Sequence, residues 1–491
     1  MVEIGKSREF GEKEKELTEL TELSNDQEDE RTLDLQEPYW RSVMAIVTAG
    51  CAFMSDGYQQ GIMTPLNMTL AKSYSGYDSS WKTMVSNSNL VANILGQIGF
   101  GFIVDRIGRK QGFAMTTVFI ILGSILAACS KGSSQNKLFW MLLISRGVSG
   151  IGIGGEYPCS ASSAMEAADE RMGKHQKLIP FICATNLPIS LGIPVATCVY
   201  LIVLEIWGET NTSGIWRTCF AIGAVFPMSI FIFRWRMHHA KVFRKNAIKE
   251  KVPHKLVIKR LWKPFMGVSV MWFIMDFVIY PNNIFSSSVI SIVLPHAGIK
   301  KTAEWQLFLG SFAAFGSIIG MFLFKWMTRK QVIIAGFLAY GVLSIIVGAA
   351  FAQLSKIPSL FIIFYALMNL VIYAGPANLQ SAVSSESFPT AVRGTLYGLS
   401  AAIGKAGAAI GTEVFTPIQT HAGKRYTFFL SGGVCFIGAL AVWLWVPDTT
   451  DYDLDEEDKK FNHYLLANGW TGEMGERNDK HHMQASNIES D

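Results

Sequence analysis

Apolar runs of about twenty residues recur along most of the chain, and that spacing limits the possible folds more than any other feature. A helix rises about 1.5 Å per residue, so such a run matches a hydrocarbon core roughly 30 Å thick. Candidate spans lie at approximately 42–63, 82–104, 111–130, 138–165, 178–204 and 216–234, then at 264–290, 303–327, 330–353, 358–384, 395–416 and 426–446. The expected fold is all-α and polytopic, with about twelve transmembrane helices in two sets of six. Only 17% of the residues are charged, against about a quarter in soluble proteins, which argues against a soluble enzyme. Residues 1–38 are polar and acidic and read as a disordered cytoplasmic segment or a short surface helix; no cleavable signal peptide is expected.

The remaining layout divides into a first half at 39–235, a basic linker at 236–262, a second half at 263–447 and a tail at 448–491. The linker carries Arg236, Lys241, Arg244, Lys245, Lys249, Lys251, Lys255, Lys259 and Arg260 against the single acid Glu250, so the positive-inside rule makes it cytoplasmic. DRIGRK (105–110) and ERMGKHQK (170–177) then fall on the same side, as do both termini. The sequons at Asn67 and Asn211 land in loops assigned outside and read as N-glycan positions. Seven cysteines without CxxC spacing read as membrane packing residues, and His175, His238, His239, His481 and His482 show no metal-ligand pattern. No cofactor, metal or nucleic-acid partner is expected, and the chain reads as a monomer in a lipid bilayer. The acidic stretch after Val446 reads as solvated.

Polar residues interrupt the spans, where a charge costs roughly 2.5–3.5 kcal/mol and tends to face a cavity or a partner. In RGVSGIGIGGEYPCS (146–160) the glycines read first as helix packing, while Arg146, Glu156 and Tyr157 add charge and a phenol. Asp56 lies in the first span. In the seventh, Trp272, Asp276 and Tyr280 follow at four-residue spacing with Asn283 continuing the stripe, and Pro281 is expected to break the helix just beyond. Asn369, Tyr373 and Pro376 form a similar stripe in the tenth span. Lys405 stands in the eleventh among small residues, and Glu413, nearer the outer end, reads as structural.

DRIGRK, RGVSGIGIGGEYPCSAS, WFIMDFVIYPNNIF, ESFPTAVRG (386–394) and LSAAIGKAG together resemble the major facilitator superfamily, in its phosphate:proton symporter-like branch. Within that branch the chain resembles the fungal glycerophosphodiester permeases, including in FNHYLLANGWTGEMG (461–475). The resemblance implies two six-helix bundles around a central cavity, alternating access at the plasma membrane, and a site built from Tyr157, Asn186, Trp272, Tyr280 and Lys405. It implies proton coupling through Asp56, Glu156 and Asp276, and a gating set of Asp105, Arg109, Arg146, Glu386 and Arg393. The chain departs from the branch at Glu156, where an aspartate is usual, at Gln59 in place of an acid, and at Ala377 in place of an asparagine. Its second copy of DRIGRK has decayed to KWMTRK (325–330).

A phosphodiester is a monoanion, so one cation such as Lys405 matches it by charge-assisted hydrogen bonds. Asp276 and Glu156 are expected to hold Lys405 in the empty site, and protonation of one of them to release the ammonium to substrate. Rings at Trp272, Tyr280, Tyr157 and Tyr373 suit a choline headgroup; amides at Asn186, Asn283 and Asn369 suit an inositol. The expected function is proton-coupled import of glycerophosphocholine, glycerophosphoinositol or both. Alternatives are an inorganic phosphate:proton symporter and a non-transporting nutrient receptor on the same fold, the latter disfavoured by a tail of about 45 residues. No nucleophile–base pair or metal cluster points to an enzyme.

Overall fold

A backbone in hydrocarbon must satisfy its own hydrogen bonds, which leaves helices as the solution for a chain patterned this way. The computed structural model describes residues 39–107, 109–171, 177–236, 252–293 and 298–470. The first half comprises α1 (Tyr39–Ser73), α2 (Ser79–Ile107), α3 (Arg109–Ala128), α4 (Gln135–Arg171), α5 (Leu178–Ala184), α6 (Asn186–Trp207), α7 (Thr212–Ile222) and α8 (Val225–Arg236). The second comprises α9 (His254–Val293), α10 (Ile299–Leu323), α11 (Arg329–Ala349), the short α12 (Phe351–Leu354), α13 (Pro358–Ala374), α14 (Pro376–Glu386), α15 (Arg393–Pro417) and α16 (Arg425–Trp445), with α17 (Leu454–Ala467) following. Of the segment Met1–Ala45 only the helical residues from Tyr39 are described; the described residues from Ile46 onward pack as one unit.

Each expected span coincides with a helix or a pair of helices. The fifth is broken at Thr185 and the tenth at Gly375, just ahead of Pro376. The largest differences are at α1, which runs on to Ser73, and at α9, which begins inside the stretch read as a linker. Among the described residues, eight helical stretches are long and apolar enough to cross a membrane by themselves. Those that fall short include α1, α2 and α15, which carry Asp56, Gln59, Asn87, Asn89, Asn93, Gln97 and Lys405, all buried. Apolar side chains cover the outside instead: Leu95, Ile144, Ile206, Ile437 and Trp443 are each more than half exposed. Polar inside and apolar outside is the arrangement a bilayer selects.

The glycines of α4 do the packing expected of them. A Cβ on Gly154 would stand 2.2 Å from the Asn93 carbonyl of α2, and one on Gly152 would stand 2.6 Å from the Thr116 carbonyl of α3. The two halves also meet at small residues, with Gly398 of α15 against the Gln97 carbonyl and Gly310 of α10 against Ile193 of α6.

Three expectations are corrected. Pro281 does not break its helix: α9 runs through it to Val293. Its missing N–H leaves the Phe277 carbonyl without an intrahelical donor, and that carbonyl faces Gly411 of α15 at close range. Asn67 is not in a loop. It lies within α1, only 2% exposed, donating to Ser86 Oγ at 3.2 Å and accepting from the Tyr77 hydroxyl at 2.8 Å. Asn211 is exposed and caps α7. In a glycosylating host, Asn67→Gln should leave glycosidase-sensitive gel mobility unchanged, and Asn211→Gln should remove any shift; loss of the shift with Asn67→Gln would place that side chain outside the folded core.

The acidic stretch after α16 is not simply solvated. Asp453 caps α17, whose Leu454, Phe461 and Leu465 are buried, each contributing about 1.5–3 kcal/mol. Asp458 accepts from the Thr390 amide at 2.7 Å and its hydroxyl at 2.5 Å. Burial pushes its carboxyl above the usual range, opposed by the nearby Arg393 guanidinium and the Thr390 donors. Asp458→Ala should release α17, read as faster proteolysis after residue 447 with the rest of the chain intact; an unchanged digestion pattern would show that the apolar face alone holds it. Residues 1–38, most of the basic linker, His175, His238, His239, His481, His482 and the Arg109 side chain lie outside the described residues.

Candidate functional site

Small residues on α15 open a slot at the meeting of the halves, and Lys405 reaches across it. Gly404 lies against Trp272 and Gly407 against the Phe273 carbonyl, so α15 approaches α9 closely enough for Lys405 Nζ to donate to Asp276 Oδ2 at 2.9 Å. Both side chains are 1% exposed. The ammonium lies 4.5 Å from the Tyr280 ring centroid, 4.9 Å from that of Tyr157 and 5.8 Å from that of Trp272. Trp272 is fixed by its indole N–H, which donates to Ser384 Oγ at 2.7 Å, and by edge contacts with Tyr157 and Tyr397. The second oxygen of Asp276, Oδ1, has no hydrogen-bond partner. A buried pair of this kind is weak evidence for stability, since removing both charges is often neutral, and so its presence points to use.

Asp56 completes the cluster from the first half. Its Oδ2 accepts from the Tyr157 hydroxyl and its Oδ1 from Gln60 Nε2, both at 2.6 Å, and it lies within reach of the Lys405 charge. Glu156 does not take the place expected for it. One carboxylate oxygen accepts from Thr116 at 2.8 Å and the other from Ser160 at 3.0 Å, both in the first half, and Lys405 is paired with Asp276 alone among the described acids. Adjacent residues on a helix point about 100° apart, so with Tyr157 facing α9, Glu156 turns back among its own bundle.

A cavity of about 70 Å³ lies between the halves, lined by Gln60, Arg146, Tyr280, Asn283, Gln306, Asn369 and Tyr373 among others. Its α9 residues follow Asp276 in the chain, so it sits on the side of the ion pair away from the DRIGRK end. Lys405 does not line it, because Tyr280 borders the cavity on one side and the ammonium on the other. Asn186 does not line it either. Its Nδ2 donates to Ser317 Oγ and to Asn378 Oδ1, both at 2.9 Å, tying the broken helix of the first half to that of the second. Asn378, next to the departure at Ala377, therefore serves the contact between halves.

The other end of the bundle is closed. Asp105 accepts from the Gly394 and Thr395 amides at 3.1 and 2.6 Å, a carboxylate on the N-terminus of α15. Arg393 donates to the Phe388 carbonyl and lies 3.8 Å from Glu166. Glu386 pairs with Arg329 and accepts from Thr449 at 2.8 Å. The decayed motif KWMTRK thus keeps its structural arginine. Arg146, grouped with these residues from the sequence, belongs instead to the cavity. Glu166, Thr449 and Gln306 are not among the residues singled out from the sequence, although each is a polar group in or beside an apolar run.

These features are those of a carrier whose halves meet over a central charge, and the family model for "Sugar (and other) transporter" matches residues 42–461. The chain belongs to that family. Among transporters of this family, the glycerophosphoinositol permease 1 of Candida albicans is 42% identical over 456 residues, covering 92% of this chain and 87% of its own length. The glycerophosphoinositol transporter 1 of Saccharomyces cerevisiae is 41% identical, covering 91% and 86%. In fold, the transporter is similar to the proton:xylose symporter XylE of the major facilitator superfamily, with a TM-score of 0.71 at 16% identity, covering 87% of this chain and all of that one. The resemblance read from the motifs therefore holds: this is a multi-pass membrane transporter of the major facilitator fold, not an enzyme.

Proposed function

We propose that the protein imports glycerophosphodiesters with protons across the plasma membrane, with both termini and the DRIGRK end in the cytoplasm. The observation that carries this reading is the buried Lys405–Asp276 pair, ringed by three aromatic side chains and placed beside a polar cavity. One ammonium faces two carboxylates, Asp276 and Asp56, so the empty site is net negative unless one acid holds a proton. Protonation of Asp276 frees the ammonium for a phosphodiester oxygen; deprotonation toward the cytoplasm restores the pair and expels the anion. Tyr280 must swing aside for substrate to reach Lys405, so its ring is an inner barrier between the cavity and the ion pair.

The headgroup this site suits is inositol. The rings that would hold a quaternary ammonium already surround Lys405, while Gln60, Asn283, Gln306 and Asn369 offer amides to hydroxyls from the cavity wall. Two relatives above 40% identity are named for glycerophosphoinositol, which supports the same choice. In cells lacking other uptake systems, labelled glycerophosphoinositol should enter, and tenfold excess phosphate should not compete. Competition by phosphate would favour the phosphate symporter, and binding without flux would favour a receptor.

A further inference from the structure

Arg146 is 2% exposed, yet its guanidinium has no acidic partner among the described residues. Nε and Nη1 have no acceptor, and Nη2 makes only a long contact of 3.5 Å with the Gln59 carbonyl. The group lies 5.8 Å from the Phe220 ring and lines the cavity. From the opposite half, Gln306 lines the same cavity at 5% exposure with neither its amide nitrogen nor its oxygen satisfied. Water satisfies hydrogen-bonding valences but brings no charge, and a buried cation without a counter-ion is destabilising. An anion that visits the cavity supplies what is missing.

Arg146 and Tyr157 are on one helix, about 16 Å apart along its axis, and Tyr157 is the residue whose ring touches the Lys405 ammonium. A single phosphate cannot bridge that distance. We propose that Arg146 and Gln306 form an outer docking subsite for the phosphodiester monoanion, separate from Lys405 and occupied first. The guanidinium fork matches the two non-bridging oxygens, and the Gln306 amide meets a headgroup hydroxyl from the second half. The anion then passes inward to Lys405 once Tyr280 moves. This subsite rests on the glycerophosphodiester reading above.

The test is initial uptake of labelled glycerophosphoinositol into proteoliposomes over a range of concentrations at low and high ionic strength. Arg146→Gln should raise the half-saturating concentration about ten- to a hundredfold, with a much smaller change in maximal rate. It should also flatten the fall of low-concentration uptake with added salt, which a purely structural arginine would not govern. Arg146→Lys should recover part of both effects, and Gln306→Leu should raise half-saturation several-fold while leaving the salt dependence in place. Unchanged half-saturation and salt dependence in Arg146→Gln would overturn the subsite. Should that variant fail to reach the membrane, wild-type values in both Arg146→Lys and Gln306→Leu would overturn it equally. Absence of uptake by the wild type would instead defeat the functional reading, and the same series with inorganic phosphate as probe would then decide the subsite.

Discussion

Lys405→Met is expected to abolish glycerophosphodiester uptake while the protein still reaches the membrane. Methionine fills nearly the same slot between α9 and α15 but carries no charge, so the phosphodiester loses the cation that offsets its burial. Leaving an anion buried without a partner costs about 3–5 kcal/mol, so uptake should fall at least about a hundredfold. The same substitution strips Asp276 of the counter-ion it holds at 2.9 Å, which could itself destabilise the fold. Lys405→Met/Asp276→Leu removes both charges from the buried pair and separates the two effects. Normal membrane abundance of the double variant with no uptake supports the assigned role; uptake in either variant removes Lys405 from the substrate path.

Asp276→Asn separates binding from driving. The amide oxygen still accepts from Lys405, and Asp56 remains nearby with its Tyr157 and Gln60 donors, so the site keeps its shape. What is lost is an acid that can release a proton to one side after taking it up from the other. Concentrative uptake should drop to simple equilibration, a loss of about tenfold for every pH unit imposed across the membrane. Exchange of internal for external substrate, which needs no net proton movement, should persist. Full accumulation in Asp276→Asn would send the coupling proton through another group, with Asp56 the first to examine.

Apolar periodicity sufficed to place the helices, because a bilayer leaves helices as the only economical backbone. Polar and aromatic residues inside those runs were equally legible as neighbours: Lys405, Asp276, Tyr157, Tyr280 and Trp272 come together. Rotation about a helix axis was not legible. Glu156 and Tyr157 are neighbours in sequence, and only packing against α2 and α3 turns one inward and the other toward Lys405. An amide is ambiguous for a similar reason: Asn186 can serve a ligand or a neighbouring helix, and the breaks at Thr185 and Gly375 bring it to Asn378. Arg329 survives although the aspartate of its motif does not, because its partner Glu386 lies on a different helix, invisible to any local pattern.

The most direct measurement is the flux of glycerophosphoinositol into proteoliposomes of purified protein under an imposed pH gradient, acid outside, recorded alongside internal pH. The buried pair as described predicts accumulation above the external concentration, internal acidification that depends on substrate, and loss of both when a protonophore is added. Substrate that only equilibrates, with internal pH unmoved by its presence, would contradict proton exchange at Lys405 and Asp276.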